Sequence, residues 1–404
     1  MITLRRIVQL GFLLLTLMAV FVFRGNAEKW CPLGGVEALY TYAQEGNMPC
    51  SLGLSNFYIL VAVLGMTLLV RRGFCGYMCP LGTISEWLHQ PARRLGIATI
   101  RIPEPVDRVL GWAKYFVLAA ILYATWRAGE LMFRGYDPCY ALISRHGEDI
   151  TLWAYVVAGV IGVASLLIIM PFCRWFCPFA AVLQPFSRLG LARIQRDSQA
   201  CTGCGACARA CPMAIPVDRL EQVTAARCLS CFNCVEACPQ QEVGTLVWGP
   251  PRKLGRRWPQ AALVAIVLIC TAGAAWAAYL FPIPAFVKVH GTPPVNVSTV
   301  EWKVDNLRCR GNGNLLVYFL QRDDLGPPLK FFKLEAWPNP ATPADVRITY
   351  DPRETNEQAL KQAITEPIFE LGNDSSDGFW RMSPYRIEGY DPLGPPSVKR
   401  YPEP

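Results

Sequence analysis

The sequence predicts an α-helical membrane bundle, interrupted by a small cysteine-rich insert and followed by an α+β domain. Three observations predict it. Five apolar runs are bordered by bunches of Arg and Lys, two cysteine runs of identical spacing stand between the fourth and fifth, and roughly the last 120 residues switch to strand and helix periodicities.

The first apolar run, Ile7 to Phe23, follows Arg5 and Arg6 and reads as a retained helix, because the small-residue pattern around Gly25 to Ala27 makes a weak cleavage site. The second, Leu54 to Val70, ends in Arg71 and Arg72 and then FCGYMCPLG. The third covers Leu110 to Trp126, and the fourth, Leu152 to Met170, ends in FCRWFCPFA. The fifth, Ala261 to Leu280, follows the basic PPRKLGRRW stretch. Basic residues cluster on one side of this alternation, which expects the N-terminus and the insert in the cytoplasm and the tail in the periplasm of a bacterial inner membrane. Helix, loop with a cysteine, helix and Phe-Cys-x-x-x-Cys-Pro occur twice, so the bundle is expected as two pseudo-repeats.

At 404 residues the chain has room for two or three domains. The expected boundaries are 1–195 for a four-helix membrane core, 196–250 for the insert, 251–282 for the fifth helix and 283–404 for the tail. The net charge of +8 belongs to the basic bunches beside apolar runs, a topology signal that argues against a nucleic-acid partner and for the lipid bilayer.

The insert holds CTGCGACARACP and CLSCFNCVEACP, two complete Cys-x-x-Cys-x-x-Cys-x-x-x-Cys-Pro runs. A [4Fe-4S] cube needs four soft ligands; the two-residue gaps let one loop reach three corners, and the fourth cysteine of each run serves the other cube. Cys201, Cys204, Cys207 and Cys238 are therefore expected round one cube, and Cys228, Cys231, Cys234 and Cys211 round the second. Zinc also uses Cys-x-x-Cys but does not ask for a triplet plus Cys-Pro. The insert reads as a bacterial two-[4Fe-4S] ferredoxin, whose thiols belong on a reducing face.

Of seventeen cysteines, nine lie elsewhere. Cys75 with Cys79, and Cys173 with Cys177, are four apart where a helix leaves the membrane, so each pair is expected on one helical face. Together they form a candidate third metal or Fe-S centre, against a redox dithiol, a transient copper site or buried thiols. Cys31, Cys50 and Cys139 fall on the expected outer side, as a disulfide or a further metal site, and Cys270 inside the fifth run reads as packing. Only His89, His146 and His290 occur, none within an expected span, which excludes a bis-His haem b; His146 reads as a solvated loop residue. Glu37, Glu130, Asp137 and Asp149 could take protons from a quinol, but a solvated role is expected.

From Val300 the tail reads strand, cysteine loop, helix, strand, strand, helix and a last strand near Trp380 to Ile387, a βαββαβ ferredoxin-like order. It resembles a heavy-metal-associated domain at VDNLRC and VRITYDP, although the family's second cysteine is replaced by Asn312, leaving Cys309 as a lone candidate ligand.

CGYMCP, CRWFCP, the double cysteine run and the basic-flanked helices resemble the membrane polyferredoxin family of NapH, the C-terminal half of NosR and CcoG, over about residues 1 to 280. The resemblance implies an integral membrane iron-sulfur protein passing electrons between the cytoplasmic side, with a ferredoxin-type donor, or the quinol pool and a periplasmic redox partner. It also implies the alternative of a copper-reducing metallocentre-assembly factor for a periplasmic or membrane metalloenzyme. The flavin-attachment domain of NosR is not matched, so no covalent flavin is expected, and no side chain stands out as a catalytic acid or base.

Overall fold

The computed structural model describes residues 4–22, 31–36, 39, 54–96, 100, 102–128, 136–143, 150–251, 257–281, 284, 286–291, 296–307, 310–322, 329–338, 343–371 and 378–390. It divides into two compact units, Met1–Glu37 with Ser55–Leu280, and Ala38–Leu54 with Phe281–Pro404.

In the first unit α1 (Leu4–Leu17) runs through a π turn to Val22, and α2 (Leu54–Val70) leads into α3 (Gly73–Tyr77) and α4 (Pro80–Arg94). Next come α5 (Glu104–Leu110), α6 (Ala113–Ala128), α7 (Pro138–Ile143) and α8 (Leu152–Leu167). They are followed by α9 (Pro171–Trp175) and α10 (Pro178–Leu189). Among the described residues, 3 helices are long and apolar enough to cross a membrane: Leu4–Val22, Glu104–Arg127 and Gln260–Leu280. The runs at α2 and α8 make shorter apolar helices, Asn56–Val70 and Leu152–Leu167. Phe116, Tyr123, Val160, Ile269 and Tyr279 all stand exposed on these helices, a surface that water disfavours and lipid accepts.

The helix is broken between the cysteines of each Cys-x-x-x-Cys pair, which corrects the expectation of one continuous face. Pro80 and Pro178 each start a new helix at the position where a missing N–H costs nothing. The amides of Met78 and Cys79 both donate to Phe74 O (2.9 and 3.1 Å), and those of Phe176 and Cys177 both donate to Phe172 O (2.9 Å each). Cys75 and Cys173 thus sit in short helices, while Cys79 and Cys177 sit at the joints that follow. The amphipathic α4 and α10, which the apolar runs alone do not reveal, pack against α8 and α6.

The insert is closed at its ends by β1 (Arg193–Arg196), paired antiparallel with β2 (Leu246–Gly249). Between them α11 (Ala206–Ala210) and α12 (Asn233–Glu236) carry the third cysteine of each triplet, Cys207 and Cys234. Both triplet loops need left-handed backbone at the same two places. Gly203 and Gly205 supply it in the first (φ 71° and 67°), but Ser230 and Phe232 in the second (φ 51° and 63°). Phe232 accepts that strain while packing its ring at a tilt against Trp248, 5.4 Å between centroids. The chain then enters α13 (Gln260–Leu280).

In the second unit β3 (Phe286–Val289), β5 (Lys333–Trp337), β6 (Ala344–Tyr350) and β4 (Ser298–Val304) form one sheet in that order. The helices α14 (Arg310–Leu320) and α15 (Glu357–Thr365) connect β4 to β5 and follow β6. The expected closing strand differs. Residues near Trp380 belong to β8 (Gly378–Arg381), which pairs with β7 (Ile368–Leu371) in a separate hairpin, and only Ile387 bridges to Val304 beside β4. β3 adds a strand on the other edge that the alternation from Val300 onward could not show.

Gly82 in α4 marks how tightly the first cysteine joint is folded: a Cβ there would lie 2.9 Å from Cys75 O and 3.3 Å from Met170 Cε. Gly82→Ala is expected to destabilise the chain by about 1–3 kcal/mol, because a backbone oxygen must move. Gly159→Ala on α8, where a Cβ meets nothing within 4 Å, is the control expected to leave the melting temperature unlowered. Equal melting curves for the two variants would contradict the close packing at the joint.

Candidate metal centres

Two cavities open inside the insert. One is lined by Cys201, Cys204, Cys207 and Cys238 together with Thr202, Gly205, Asp218 and Pro239. The other is lined by Cys211, Cys228, Cys231 and Cys234 with an apolar wall that includes Ile194, Met213, Ile215, Leu229 and Phe232. Each cavity takes the first three cysteines of one run and the fourth of the other. Among the described residues no three Cys, His, Asp or Glu side chains converge closely enough to hold a single metal ion. Four thiols spread round each void suit a multi-atom cluster.

The two cavities differ in electrostatics. Burial pushes the thiols of the apolar cavity up, Cys211 to about 11 and Cys231 to about 12. At neutral pH they keep their protons until a metal supplies the charge, so loading this cavity must release protons. Cys204 in the first cavity is exposed, and the Ala206 amide, with the Thr202 hydroxyl, holds its thiol below the usual range.

The apolar cavity lies directly on the first Cys-x-x-x-Cys joint. The Arg72 amide donates to Cys228 O (3.3 Å), Tyr77 Oη donates to Ser230 O (3.4 Å), and a Cβ on Gly76 would lie 3.0 Å from Leu229 O. Cys75, Cys79, Cys173 and Cys177 gather behind this contact. Burial first, and then the charges of Cys177, Cys79 and Cys75, push the Cys173 thiol well above its ordinary value. The joints therefore bring the four helix-end thiols into one neighbourhood. Cys139 belongs to the same one: after burial and Asp137, its thiol is pushed up by Cys79, Cys31 and Cys177. Asp137 itself accepts the Cys139 amide at 2.9 Å. Cys139 is thus within electrostatic reach of Cys79 and Cys177 on one hand and of Cys31 on the other, which corrects the expectation of an outer site apart from the helix-end thiols. Cys50, Cys309, His146, Glu37, Glu130 and Asp149 lie outside the described residues. Cys270 packs against the same apolar core.

Two buried ion-pair networks hold the insert on the helices. Asp107 of α5 takes Arg174 (2.5 Å) and the Trp175 indole (2.8 Å) on Oδ1, and Arg227, next to Cys228, on Oδ2 (2.5 Å). Glu86 of α4 takes Arg5 of α1 (2.8 and 2.5 Å) and Asn233, next to Cys234 (3.3 Å). The helix-end arginines read as membrane flanks are also internal: Arg71 and Arg72 are 0% and 1% exposed. Sequence reading missed these residues; the acids within amphipathic α4 and α5 were the signal available.

The 4Fe-4S binding domain family matches the chain twice, at residues 52–98 and 150–196, and the 4Fe-4S dicluster domain family matches residues 193–239. Escherichia coli K12 YccM is 32% identical over 54% of this chain and 63% of its own length. An uncharacterized protein of Methanocaldococcus jannaschii, MJ0750, is 30% identical over 44% of this chain and 74% of its own length. The ferredoxin-type protein NapH of Haemophilus influenzae is 26% identical over 59% of this chain and 86% of its own length. No solved structure matches the chain. Apolar, outward-facing helices joined to a dicluster insert define a membrane-associated 4Fe-4S protein. The chain belongs to the membrane polyferredoxin family.

Asp107→Asn leaves the buried Arg174 guanidinium and the half-buried Arg227 guanidinium without their carboxylate and is expected to cost about 3–5 kcal/mol. Limited proteolysis should then cut within residues 193–249 faster than in the native chain. The exposed pair Glu104 and Arg108, 3.2 Å apart, gives the control, where Glu104→Gln should cost less than about 1 kcal/mol. Cleavage of the Asp107→Asn chain at the native rate would show that the network does not fasten the insert.

Proposed function

We propose that the chain is an integral membrane iron-sulfur electron-transfer protein, passing electrons between the face that carries the insert or the quinol pool and a redox partner at the opposite face. Cys201, Cys204, Cys207 and Cys238 hold one [4Fe-4S] cluster, and Cys211, Cys228, Cys231 and Cys234 hold the second. Cys75, Cys79, Cys173 and Cys177 hold a further centre. The carrying observation is the pair of cavities, each lined by the crossed set of four cysteines, the second of them packed against the Arg72–Tyr77 segment that carries Cys75.

When bound, the clusters supply one-electron redox chemistry at potentials set by hydrogen bonds, burial and charge. The protein's own residues do the rest. The left-handed loop positions aim three thiols of each run into one cavity, and Ile194, Met213, Ile215 and Phe232 keep water from the second. Asp107 and Glu86 fix that cavity against the helix ends. In this reading all five apolar helices cross the bilayer as two pseudo-repeats, the N-terminus and insert are cytoplasmic, and the tail is periplasmic. The family's 4Fe-4S domain matching twice supports the repeats, and the relatives YccM, provisionally named an electron transport protein, and NapH, named ferredoxin-type, support the chemistry.

Iron analysis and EPR of the purified chain test the reading. Two cubes require about eight irons per chain, and the helix-end centre adds to that number. Cys211→Ser should abolish the signal of the second cube and spare the first. A chain holding fewer than about eight irons, or a Cys211→Ser variant that loses the Cys201-group signal instead, would contradict the assignment.

A further inference from the structure

Four arginines are buried around the helix-end thiols and the insert, and they fall into two kinds. Arg5 and Arg174 have carboxylates, Glu86 and Asp107. Arg71 and Arg72 have no carboxylate within ion-pair distance among the described residues. Arg72 is 1% exposed; its Nη2 lies 4.0 Å from Cys75 Sγ and 3.5 Å from Cys173 O. Its Nε and Nη1 find no hydrogen-bond partner among the described residues, and neither do Nε and Nη2 of Arg71. The other Arg71 nitrogen, Nη1, donates to Ala225 O at 2.9 Å, three residues before Cys228.

A guanidinium stays charged at any pH a protein survives, and its burial without a counter-charge is among the most costly arrangements a fold can contain. Buried neutral thiols cannot provide that counter-charge. Four thiolates round an iron-sulfur core can, because the whole centre carries net negative charge that grows by one on reduction. Arg72 stands where two such centres would meet: its side chain points among Cys75 and Cys173, and its backbone amide binds the carbonyl of Cys228. The unpartnered N–H groups are what a fold built round absent anions leaves behind.

We propose that Arg72 is the shared counter-charge of two iron-sulfur centres, one in the Cys211, Cys228, Cys231 and Cys234 cavity and one at the helix-end thiols. It raises the potentials of both relative to the Cys201-group centre, so that an electron settles beside the membrane rather than at the exposed end of the insert. Arg72 is a positioning residue that acts through its charge. The helix-end half of this inference rests on the reading that those thiols hold a centre; the Cys228 half does not.

The test is a potentiometric EPR titration of the purified full-length chain, with iron analysis, for the native protein, Arg72→Lys and Arg72→Gln. Arg72→Gln should make the Cys228-group centre and the helix-end centre at least tenfold harder to reduce, about 59 mV for one electron. The Cys201-group centre should not move, and Arg72→Lys should keep native potentials. Native potentials in an iron-replete Arg72→Gln chain would overturn the proposal. If Arg72→Gln loses iron while Arg72→Lys keeps it at native potentials, the requirement for charge stands; if both lose iron, shape and not charge is required and the proposal fails. A native signal beyond two cubes that disappears in a Cys75→Ser, Cys173→Ser chain establishes the helix-end centre separately. Its absence sinks that reading alone, leaving the shift at the Cys228 group to judge Arg72.

Discussion

The carboxylate of Asp107 is the contact on which the arrangement of sites depends. It is 3% exposed and shared by two guanidinium groups and an indole. One guanidinium, on Arg174, lies between Cys173 and Cys177, and the other, on Arg227, precedes Cys228, so a single buried acid ties the second cysteine joint to the second cysteine run. Glu86 likewise ties α1 and α4 to the second cysteine run through Arg5 and Asn233. A buried pair adds little net stability over an apolar one, but breaking it is costly, which makes it a device for fixing position more than for adding stability. What it fixes here is the placement of the apolar cavity against the helix ends.

That placement bears on the problem facing any one-electron carrier at a membrane, the roughly 30 Å of hydrocarbon to be crossed. Electron transfer weakens steeply with separation, so sites that are to exchange electrons must be close and held. The broken helices at the Cys-x-x-x-Cys joints contribute to this. Met78, one residue before Cys79, reaches Thr271 of α13, with Oγ1 and Sδ 3.7 Å apart. Cys79 and Cys177 in turn act electrostatically on Cys139, as does Cys31. At each joint the helix stops before the second cysteine and a new helix starts at the proline after it.

The cysteine spacing made the grouping of the insert's thiols legible, since each cavity is lined by three cysteines of one run and the fourth of the other. The apolar runs were legible as helices because hydrocarbon length is a simple constraint. Other features were hidden for physical reasons. Pro80 and Pro178 announce a helix start as much as a helix end, and spacing by four alone does not show that the helix breaks between the two cysteines. Arg71 and Arg72 look like membrane flanks, since burial of a charge is decided by partners remote in sequence. Ser230 and Phe232 hold left-handed backbone without the glycines that signal it in the first run. In the tail, alternation gave β4, β5 and β6, but a closing segment reduced to one bridge at Ile387 leaves no periodicity to read.

A density map of the purified chain, resolved well enough to see cluster ligands, tests the central claim most directly. The expected map shows a cube bound by Cys201, Cys204, Cys207 and Cys238, a second bound by Cys211, Cys228, Cys231 and Cys234, and metal density at Cys75, Cys79, Cys173 and Cys177. Single ions in the two insert cavities, or cubes that take all four ligands from one run, would contradict it.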